Sequence, residues 1–436
     1  MSEPLRIALA GLGTVGAGVI RLLGENAALV RARAGRELRV VAVSARDRHR
    51  DRGVELAAFD WCDDMTAMDA RADVDAVVEL VGGADGPALT LARNTIAAGK
   101  ALVTANKAMI AHHGLARAEA AEAAGAPLRF EAAVAGGIPV IKGLREGAAA
   151  NAIGRVQGIL NGTCNFILSA MEDSGRDFAD VLAEAQARGF AEAAPTLDIE
   201  GTDAGHKLAI LAAVAFGARL DLAGVSAEGI ARVRAADIAR ARDLGFVIRL
   251  IGEADVEGGR LLQRVRPCLV PRAHPLAHVD GATNAVLAEG NFAGRLLFQG
   301  AGAGDGPTAS AVVADLIDVA RARPPGEGAG APFSVPVAEL VPMARAEPGE
   351  RRGRSYLRFT VADRPGVLAE ITAAMRDAEV SIESLIQQGQ SAEGGEVLVT
   401  MVTHEGPEKC VGEALRLLDG SPSLTAAPLV LPILQA

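Results

Sequence analysis

The stretch that most constrains the fold is an apolar strand followed at once by a glycine-rich turn and a helix. Leu5–Ala10 predicts a buried strand, and GLGTVGAGVIRLL follows it with Gly11, Gly13 and Gly16 at the G-x-G-x-x-G spacing. In this context Gly11 permits a tight turn, Gly13 lets the backbone approach a pyrophosphate, and Gly16 lets the helix pack on the strand. A glycine-rich turn without a ligand is the alternative. The predicted dinucleotide contacts are Gly11, Leu12, Gly13, Thr14, Val15 and Gly16.

Strand and helix patterns keep alternating through the first third of the chain, which is typical of a doubly wound, Rossmann-type parallel sheet. Ligands bind at the carboxyl ends of such strands, where Thr104 and Lys107 fall in the run TANKAMI. We therefore expect Thr104 and Lys107 to contact cofactor or substrate, although Lys107 could also be an exposed loop lysine. The predicted strands are Leu38–Ser44, Val74–Val81, Ala101–Thr104 and Leu128–Ala133, with a helix over Leu89–Ala98.

The end of the second strand indicates which dinucleotide is bound. NAD-binding proteins often place an acid there to hold the ribose 2′-hydroxyl. Here the run is SARDRHRDR, with Ser44 and Arg46 where the acid would be. Arginine suits a 2′-phosphate, so we predict NADP with Arg46 as a contact. Asp47 could instead reach a ribose, which keeps NAD open, and a charged exposed loop is the plainer interpretation.

The segment Gly189–Lys207, GFAEAAPTLDIEGTDAGHK, concentrates charge directly before the apolar run LAILAAVAFGA. A helix that is apolar on every side is normally buried, so an ionised Lys207 at its start needs a polar pocket or partners. Asp203 lies four residues before Lys207 and can share its helix face, while Glu192 and Asp198 add carboxylates. A solvated ion pair is the plainer alternative. We predict instead that this segment forms the floor of an active site.

The run EAAVAGGI at Glu131–Ile138 follows a predicted strand. Small residues at a strand end leave carbonyls exposed, and Glu131 adds a carboxylate. Oxygen ligands of this kind suit a hard cation, although a plain turn explains the same pattern.

Two further domains follow the first. Strand-like stretches separated by helices indicate an α+β domain, in which NGTCN opens a helix at Asn161. GAGAGDG then leads into a helix capped near Thr308, which we expect to return to the first domain. A segment rich in Pro, Gly and Arg reads as a linker, and the chain ends with the β-α-β-β-α-β order of a ferredoxin-like unit. The predicted domains are 1–140 (dinucleotide-binding), 141–320 (catalytic and dimerisation), 321–354 (linker) and 355–436 (regulatory). The strands predicted in the second domain are Val156–Leu160, Val247–Glu253, Leu261–Val270 and Ala285–Glu289.

Composition excludes several other classes of protein. The net charge of −10 argues against nucleic acid or an anionic membrane as partner. No apolar run approaches the roughly 20 residues that span a bilayer, and the N-terminus lacks the pattern of a signal peptide. The cysteines Cys62, Cys164, Cys268 and Cys410 are far apart and show no metal-ligand spacing, as expected of reduced thiols in a cytoplasmic protein.

With these motifs in view, the chain resembles homoserine dehydrogenases that carry a C-terminal ACT domain. The resemblance covers nearly all residues, and its most specific segment is Ala185–Lys207, which matches A-x3-G-F-A … P-x2-D-I-x-G-x-D-x3-K. GLGTVG, TANK, NGTCN and GAGAG support it, and DRPGVLAEI resembles the ligand-binding first turn of ACT domains. The resemblance implies NAD(P)-dependent interconversion of L-homoserine and L-aspartate 4-semialdehyde in threonine, methionine and isoleucine biosynthesis. It also implies feedback by an amino acid, first of all threonine, near Asp363–Leu368, in a homodimer or homotetramer.

The resemblance assigns roles to single residues. Lys207 matches the proton-donor lysine, and Lys107 matches a lysine shared between cofactor and substrate. Glu192 and Asp203 match the homoserine-binding acids. The implied set is completed by Asp198 and Thr163 at the substrate, by Gly189 and either Gly302 or Gly304 at the cofactor, and by Glu131, Val134, Gly136 and Ile138 at a sodium ion.

One departure and two alternatives remain at this point. The family usually carries a polar residue before Pro195, where this chain has Ala194, so one secondary hydrogen bond in the pocket is in doubt. An aldehyde dehydrogenase would need a thiolate nucleophile, for which Cys164 is the candidate, although no histidine lies beside it in sequence. An amino-acid sensor without catalysis would use the ACT domain alone.

Overall fold

A computed structural model describes residues 3–192, 194–322, 330–347, 349–388 and 395–435, apart from the side chain of residue 388. The first domain is a six-stranded parallel sheet with strand order β3-β2-β1-β4-β5-β6. Alternate residues of its first strand pack into different cores, because Ile7 and Leu9 face one layer of helices while Ala8 and Ala10 face the other. This is the doubly wound fold that the sequence predicts. Its elements are β1 (Leu5–Ala10), α1 (Thr14–Glu25), α2 (Ala27–Ala34), β2 (Leu38–Ser44), β3 (Asp60–Trp61), β4 (Ala76–Glu79), α3 (Pro87–Ala97), β5 (Ala101–Thr104), α4 (Lys107–Ala124) and β6 (Leu128–Arg129), with a 3₁₀ turn at Met65–Ala70.

The last of these strands is shorter than predicted. The predicted strand Leu128–Ala133 ends at Arg129, and Glu131–Ala133 forms a 3₁₀ turn instead. The cause is the Glu131 carboxylate, which turns inward and accepts the main-chain N–H groups of Ile141 and Lys142 at 2.9 and 2.8 Å.

The second domain is a mixed sheet with strand order β12-β11-β7-β9-β10-β13, in which β13 is Ala344–Arg345, and β8 pairs with β10. The prediction that helices separate its strands is wrong between β9 and β10. β9 and β10 form a hairpin through Gly258 and Gly259, whose φ angles of 57° and 75° suit a two-residue turn. β11 and β12 form a second hairpin, and β12 was missed because most of its side chains are exposed and its large apolar residues are confined to Leu296–Phe298. The elements are α5 (Val140–Lys142), a π-helical turn (Gly143–Gly147), β7 (Ile153–Ile159), α6 (Gly162–Ser174), α7 (Phe178–Ala187), α8 (Thr196–Ile199), α9 (Thr202–Phe216), a 3₁₀ turn (Leu222–Gly224), β8 (Val225–Ala227), α10 (Ala235–Asp243), β9 (Phe246–Glu257), β10 (Arg260–Pro271), a 3₁₀ turn (Pro275–His278), β11 (Thr283–Gly290) and β12 (Gly294–Ala301).

A long helix, α11 (Asp305–Arg321), returns to the first domain as predicted. It packs along α1, where a Cβ on Gly18 would lie 2.8 Å from the carbonyl oxygen of Asp305. The helix begins at Asp305 rather than near Thr308, because Pro307 is compatible with a first helical turn.

Parts of the predicted linker pack on the first and second domains. Phe333 is buried against Phe130, with ring centres 5.5 Å apart, and β13 (Ala344–Arg345) adds a short strand beside β10. Its residues 323–329 and 348, among them Pro324, Pro325 and Pro348, lie outside the described residues. The remaining elements are a 3₁₀ turn (Val337–Glu339), β14 (Arg352–Gly353), β15 (Ser355–Ala362), α12 (Val367–Asp377), β16 (Ile382–Gln388), β17 (Glu396–Thr403), β18 (Gly406–Pro407), α13 (Glu408–Leu417) and β19 (Leu424–Pro432).

The C-terminal unit has the predicted β-α-β-β-α-β order, and its four-stranded antiparallel sheet runs β16-β17-β15-β19. Buried polar contacts fix it to the second domain. The Tyr356 hydroxyl donates to Asp237 Oδ1 at 3.0 Å, and Arg358 lies 3.2 Å from Asp237 Oδ2. Burial raises the pKa of Asp237, although Arg358 opposes the shift.

Within the ranges described, no helix is both long enough and apolar enough to cross a membrane.

Candidate active site

The turn between β1 and α1 has the backbone that its glycines predict. Gly11 has a φ of 102°, and a Cβ there would lie 2.8 Å from the carbonyl carbon of Leu80. A Cβ on Gly16 would lie 2.0 Å from the carbonyl oxygen of Gly11, so strand and helix touch. Gly13 faces open space and precedes α1 without a side-chain cap. The first N–H groups of α1 can therefore meet phosphate oxygens, and a dinucleotide pyrophosphate fits. Of the other predicted contacts, Leu12 is buried, while Thr14 and Val15 open the helix.

A buried carboxylate that sequence reasoning missed shapes the neighbouring turn. Glu79, the last residue of β4, is fully buried and accepts the N–H groups of Val81 and Gly82 at 2.7 and 3.0 Å. The Thr104 hydroxyl donates to its other oxygen at 2.6 Å. The Thr104 side chain thus helps to fix the turn after β4 through Glu79. An acid ending the apolar strand AVVE was the available signal.

The loop after β2 carries the predicted basic residues. Arg46 is exposed and forms no ion pair with any described residue. Arg52 donates to the carbonyl of Leu12 at 2.9 Å, which ties the loop to the glycine turn. The guanidinium groups of Arg48 and Arg52 lie 5.7 and 6.0 Å from the centre of the Trp61 ring. Positive charge is thereby held beside the cofactor crevice.

Lys207 lies where the sequence predicts, buried and with polar partners. Its helix, α9, begins after Gly201, whose φ is 82°. Lys207 is 8% exposed, and its Nζ donates to Asp203 Oδ2 at 2.7 Å and to the carbonyl of Leu160 at 2.8 Å. Burial disfavours the charged form of Asp203, but Lys207 and Lys107 outweigh it and hold the Asp203 pKa well below its usual range.

Lys107 reaches the same carboxylate from the first domain. It begins α4, directly after β5, and its Nζ lies 3.0 Å from Asp203 Oδ1. Burial acts to lower the pKa of Lys107, but Asp203 reverses the effect, with smaller contributions from Asp198 and Glu192, and the pKa is raised. One acid therefore orients two ammonium groups across the domain boundary.

Asn161, which the sequence marks only as part of the NGTCN motif, forms hydrogen bonds to two of the predicted acids. Its Nδ2 donates to Asp198 Oδ1 at 2.7 Å and to Asp203 Oδ2 at 2.9 Å. Thr163 lies two residues after Asn161, in the first turn of α6. Its hydroxyl contacts Asp198 Oδ2 at 3.4 Å and the Phe190 carbonyl at 2.9 Å. The structure thus brings Asp198, Asp203 and Thr163 together.

The loop between α7 and α8 carries Glu192. Gly189, with a φ of 76°, ends α7, a conformation that favours glycine whether or not a cofactor is near. Phe190 stacks on Phe166 with ring centres 4.3 Å apart, and Arg188 lies over both rings. Glu192 is exposed at the rim, with its main-chain carbonyl bound by a side chain of α7. Ala194, before Pro195, is exposed.

Cys164 is an unsuitable nucleophile in this setting. Its side chain is fully buried, and its Sγ donates to the main-chain carbonyl of Asp198 at 3.1 Å. Burial raises the pKa of the thiol, with Asp198 and Asp203 adding to the shift. A thiolate is therefore disfavoured.

The loop after β6 offers oxygen atoms of the predicted kind. Burial, with Asp315 nearby, raises the pKa of Glu131 to about 7. The carbonyls of Val134 and Gly136 lie in a buried turn and accept no hydrogen bond from the described residues, whereas the Ile138 carbonyl accepts the Val140 N–H at 2.7 Å. This donor set fits a hard cation. No group of three or more His, Cys, Asp or Glu side chains suited to a metal occurs in the described parts of the chain.

The GAGAG turn, Gly300–Gly304, packs against the loop that follows β6. A Cβ on Gly136 would lie 2.4 Å from the carbonyl oxygen of Gly302, and a Cβ on Gly302 would lie 2.1 Å from Asn284 Cγ. Gly304 has a φ of 116° and precedes α11. The turn containing Gly302 and Gly304 is thus packed between the Glu131–Ile138 loop of the first domain and Asn284 of the second.

In the C-terminal unit, the predicted ligand turn links β15 to α12. The N–H of Asp363 donates to the carbonyl of Gly395 at 2.8 Å, and Arg364 donates to the Ser423 hydroxyl at 3.0 Å. Gly366, with a φ of 98°, precedes α12 and has no side-chain cap. The turn is exposed at residues 364–366, so a small ligand can reach it.

Comparison with known families divides the chain as the fold does. Residues 11–131 match the family model described as "Homoserine dehydrogenase, NAD binding domain", and residues 139–317 match that described as "Homoserine dehydrogenase". Residues 355–416 match the ACT domain.

Relatives match along almost the whole chain. The homoserine dehydrogenase of Neisseria gonorrhoeae is 44% identical over 419 residues, covering 96% of this chain and 95% of its own. That of Pseudomonas aeruginosa is 42% identical over 418 residues, covering 96% of each. The crystal structure of a homoserine dehydrogenase from Thiobacillus denitrificans superposes with a TM-score of 0.93 at 41% identity over 99% of both chains. This protein therefore belongs to the homoserine dehydrogenase family, as an oxidoreductase with an NAD-binding domain and a C-terminal ACT domain.

Proposed function

We propose that this protein catalyses the reversible, NAD(P)-dependent reduction of L-aspartate 4-semialdehyde to L-homoserine, in threonine, methionine and isoleucine biosynthesis. The observation that carries the proposal is the environment of the Lys207 ammonium group. Two of its three N–H groups bind Asp203 and the Leu160 carbonyl, which leaves one for a substrate oxygen. A buried, oriented acid is what an aldehyde oxygen needs as it gains charge.

In the reduction, the nicotinamide supplies the hydride that bonds to the aldehyde carbon. The carbonyl electron pair moves to the oxygen, and Lys207 stabilises the resulting charge and gives its proton to form the hydroxyl. Asp203 keeps Lys207 and Lys107 in place, and Lys107 serves both cofactor and substrate.

The substrate ammonium group needs carboxylates, which Glu192, Asp203 and Asp198 supply in this proposal. Glu192 is exposed at the rim of the site, as a group that meets an incoming ligand must be. Thr163 holds Asp198 and the Phe190 carbonyl, so we assign it to the same pocket. The exposed Ala194 contributes no side-chain hydrogen bond there.

For the cofactor we infer NADP, with NAD as the alternative. The support is Arg46, a charged group after β2 that forms no ion pair with any described residue and can take a 2′-phosphate. The pyrophosphate is assigned to Gly11, Leu12, Gly13, Thr14, Val15 and Gly16, and further contacts to Thr104, Lys107, Gly189, Gly302 and Gly304.

A sodium ion is assigned to Glu131 and the carbonyls of Val134, Gly136 and Ile138. What supports it is a buried carboxylate beside two carbonyls that no described residue satisfies. An ion there would hold the loop against the GAGAG turn and hence shape the cofactor crevice.

The ACT domain is proposed to bind an amino acid, first of all threonine, near Asp363–Leu368 and to inhibit catalysis. We also propose a homodimer or homotetramer, and the domain limits 1–140, 141–320, 321–354 and 355–436. A cytoplasmic location is supported by four unpaired cysteines, as is usual in a reducing compartment.

The direct test is reduction of NADP and of NAD by the purified full chain with L-homoserine, in phosphate-free buffer. We expect turnover with homoserine and faster turnover with NADP. Reduction of the cofactor only with the semialdehyde and phosphate would support an aldehyde dehydrogenase instead. Binding of an amino acid without turnover of either substrate would support a sensor.

A further inference from the structure

Asn161 joins β7 to α6 and caps that helix. It is 4% exposed, and its Oδ1 accepts the N–H of Cys164 at 2.8 Å. This contact is the ordinary work of a helix N-cap, which Ser or Asp performs about as well.

The amide nitrogen does something that capping does not require. Nδ2 donates to Asp198 Oδ1 at 2.7 Å and to Asp203 Oδ2 at 2.9 Å, so it joins two acids from α8 and α9. Neither Ser nor Asp can cap the helix and also give two N–H groups to these carboxylates. Capping the helix therefore does not require Asn at this position, whereas the hydrogen bonds to Asp198 and Asp203 do.

Lys207 contacts the residue before Asn161 directly and Asn161 itself through Asp203. The carbonyl of Leu160 accepts from Lys207 Nζ at 2.8 Å. Asp203 Oδ2 accepts from Lys207 at 2.7 Å and from Asn161 at 2.9 Å, on the same oxygen. The position of this oxygen, and with it the direction of the remaining Lys207 N–H, depends on Asn161.

We propose that Asn161 is a positioning residue of the reaction, which fixes Asp203 and thereby aims Lys207 at the substrate oxygen. It acts through these two residues and need not touch the substrate. The inference rests on the proposed function and extends it to a residue outside the predicted site.

Two variants separate this role from capping, because both keep an N-cap oxygen. Asn161→Ser removes the two donors, and Asn161→Asp also adds a third carboxylate beside Asp198 and Asp203. In homoserine oxidation the substrate hydroxyl must lose its proton to the network of Lys207 and Asp203. The extra negative charge of Asn161→Asp favours the protonated form of that network, so the acid limb of the pH profile of kcat should move up by about one pH unit. We expect kcat for homoserine oxidation to fall about tenfold or more in both variants, with NADP affinity within about twofold of the parent.

Asn151→Asp is the matched control. Its Oδ1 also accepts main-chain N–H groups, from Phe292 and Ala293, but it lies away from the acids. It should leave kcat and the acid limb unchanged, and melting temperatures should show that all the variants fold.

The inference is overturned if folded Asn161 variants keep the kcat and the acid limb of the parent. Should Asn161→Asp fail to fold, Asn161→Ser decides alone, because unchanged kcat in that variant overturns the inference equally. A parent chain that does not oxidise homoserine overturns the proposed function and this inference with it. An active parent with unaffected variants overturns only the inference.

Discussion

Lys207 lies one helical turn after Asp203, and its Nζ is 2.7 Å from Asp203 Oδ2. The other oxygen of that carboxylate is 3.0 Å from Lys107 Nζ, which belongs to the opposite domain. Because Asp203 is 7% exposed, water competes little for these contacts. The catalytic assignment therefore rests on a small network around the buried Asp203 carboxylate, whose members can be changed one at a time.

Lys207→Ala should lower kcat by about 10²–10⁴-fold, because it removes the proton donor and the charge that stabilises the developing alkoxide. NADPH affinity should stay near that of the parent, since Lys207 contacts Asp203 and Leu160 rather than the glycine turn. Stopped-flow turnover and direct NADPH titration measure the two effects. Lys409→Ala, at an exposed position on α13, is the control. Near-normal kcat in Lys207→Ala would remove this residue from the mechanism.

The ion pair of Lys107 with Asp203 should give stability over a defined pH window. The pKa of Asp203 is lowered and that of Lys107 is raised, so the contribution is complete between their ordinary values, about 4 and about 10. It is lost as the pH falls through the lowered pKa of Asp203 or rises through the raised pKa of Lys107. The melting temperature of Lys107→Met should therefore lie below that of the parent by a constant amount from about pH 5 to 9, and by less near pH 2. A difference that varies across the neutral range would contradict this.

The sequence predicted those features that depend on local pattern. The G-x-G-x-x-G turn, the strand Leu5–Ala10 and the four-residue spacing from Asp203 to Lys207 all lie within one or two elements, where periodicity and spacing are informative. Their geometry follows from the local chain, so the fold class was accessible without coordinates.

Features that depend on distant partners were not predicted. In the sequence, Glu79 and Asn161 have no distinctive pattern. Their partners come from distant elements: Thr104 of β5 contacts Glu79, and Asp203 of α9 contacts Asn161. The prediction that β6 continues beyond Arg129 was wrong for the same reason, since Glu131 accepts a hydrogen bond from a main-chain group ten residues later. β12 was missed because its apolar run, Leu296–Phe298, is shorter than the run of about four residues that indicates a strand.

Arg46→Ala should raise KM for NADP about tenfold or more and leave KM for NAD nearly unchanged, because only NADP carries the 2′-phosphate that Arg46 is proposed to contact. The measurement is homoserine oxidation with each cofactor. Arg39→Ala is the control, since Arg39 lies on β2, the strand that precedes Arg46, and pairs with Glu37 at 2.7 Å. Equal effects on both cofactors would assign Arg46 to general electrostatics, and no effect would remove it from the site.

Glu131→Gln should abolish any dependence of activity on sodium, because a neutral amide replaces the only side-chain ligand assigned to the ion. Activity and melting temperature are measured in sodium and in choline buffers of equal ionic strength. The parent should gain activity or stability from sodium, and the variant should not. Asp173→Asn, at an exposed position on α6, is the control. A parent indifferent to sodium would contradict the proposed site.

Threonine inhibition is best tested by a point substitution in the intact chain. Deletion of residues 350–436 would remove Arg351, Tyr356 and Arg358, and would leave Glu253 and Asp237 buried without these partners, at a cost of several kcal/mol. Asp363→Ala instead leaves these contacts between the domains in place.

The parent should be inhibited by L-threonine, and Asp363→Ala should need about tenfold more threonine for half-inhibition while kcat without threonine stays within about twofold. Dose–response curves of homoserine oxidation give both values. Glu413→Ala, on the exposed face of α13, is the control because Glu413 pairs only with its neighbour Arg416 among the described residues. If the parent responds to no amino acid of the pathway, feedback through this domain is refuted. If Asp363→Ala responds as the parent does, the effector binds elsewhere.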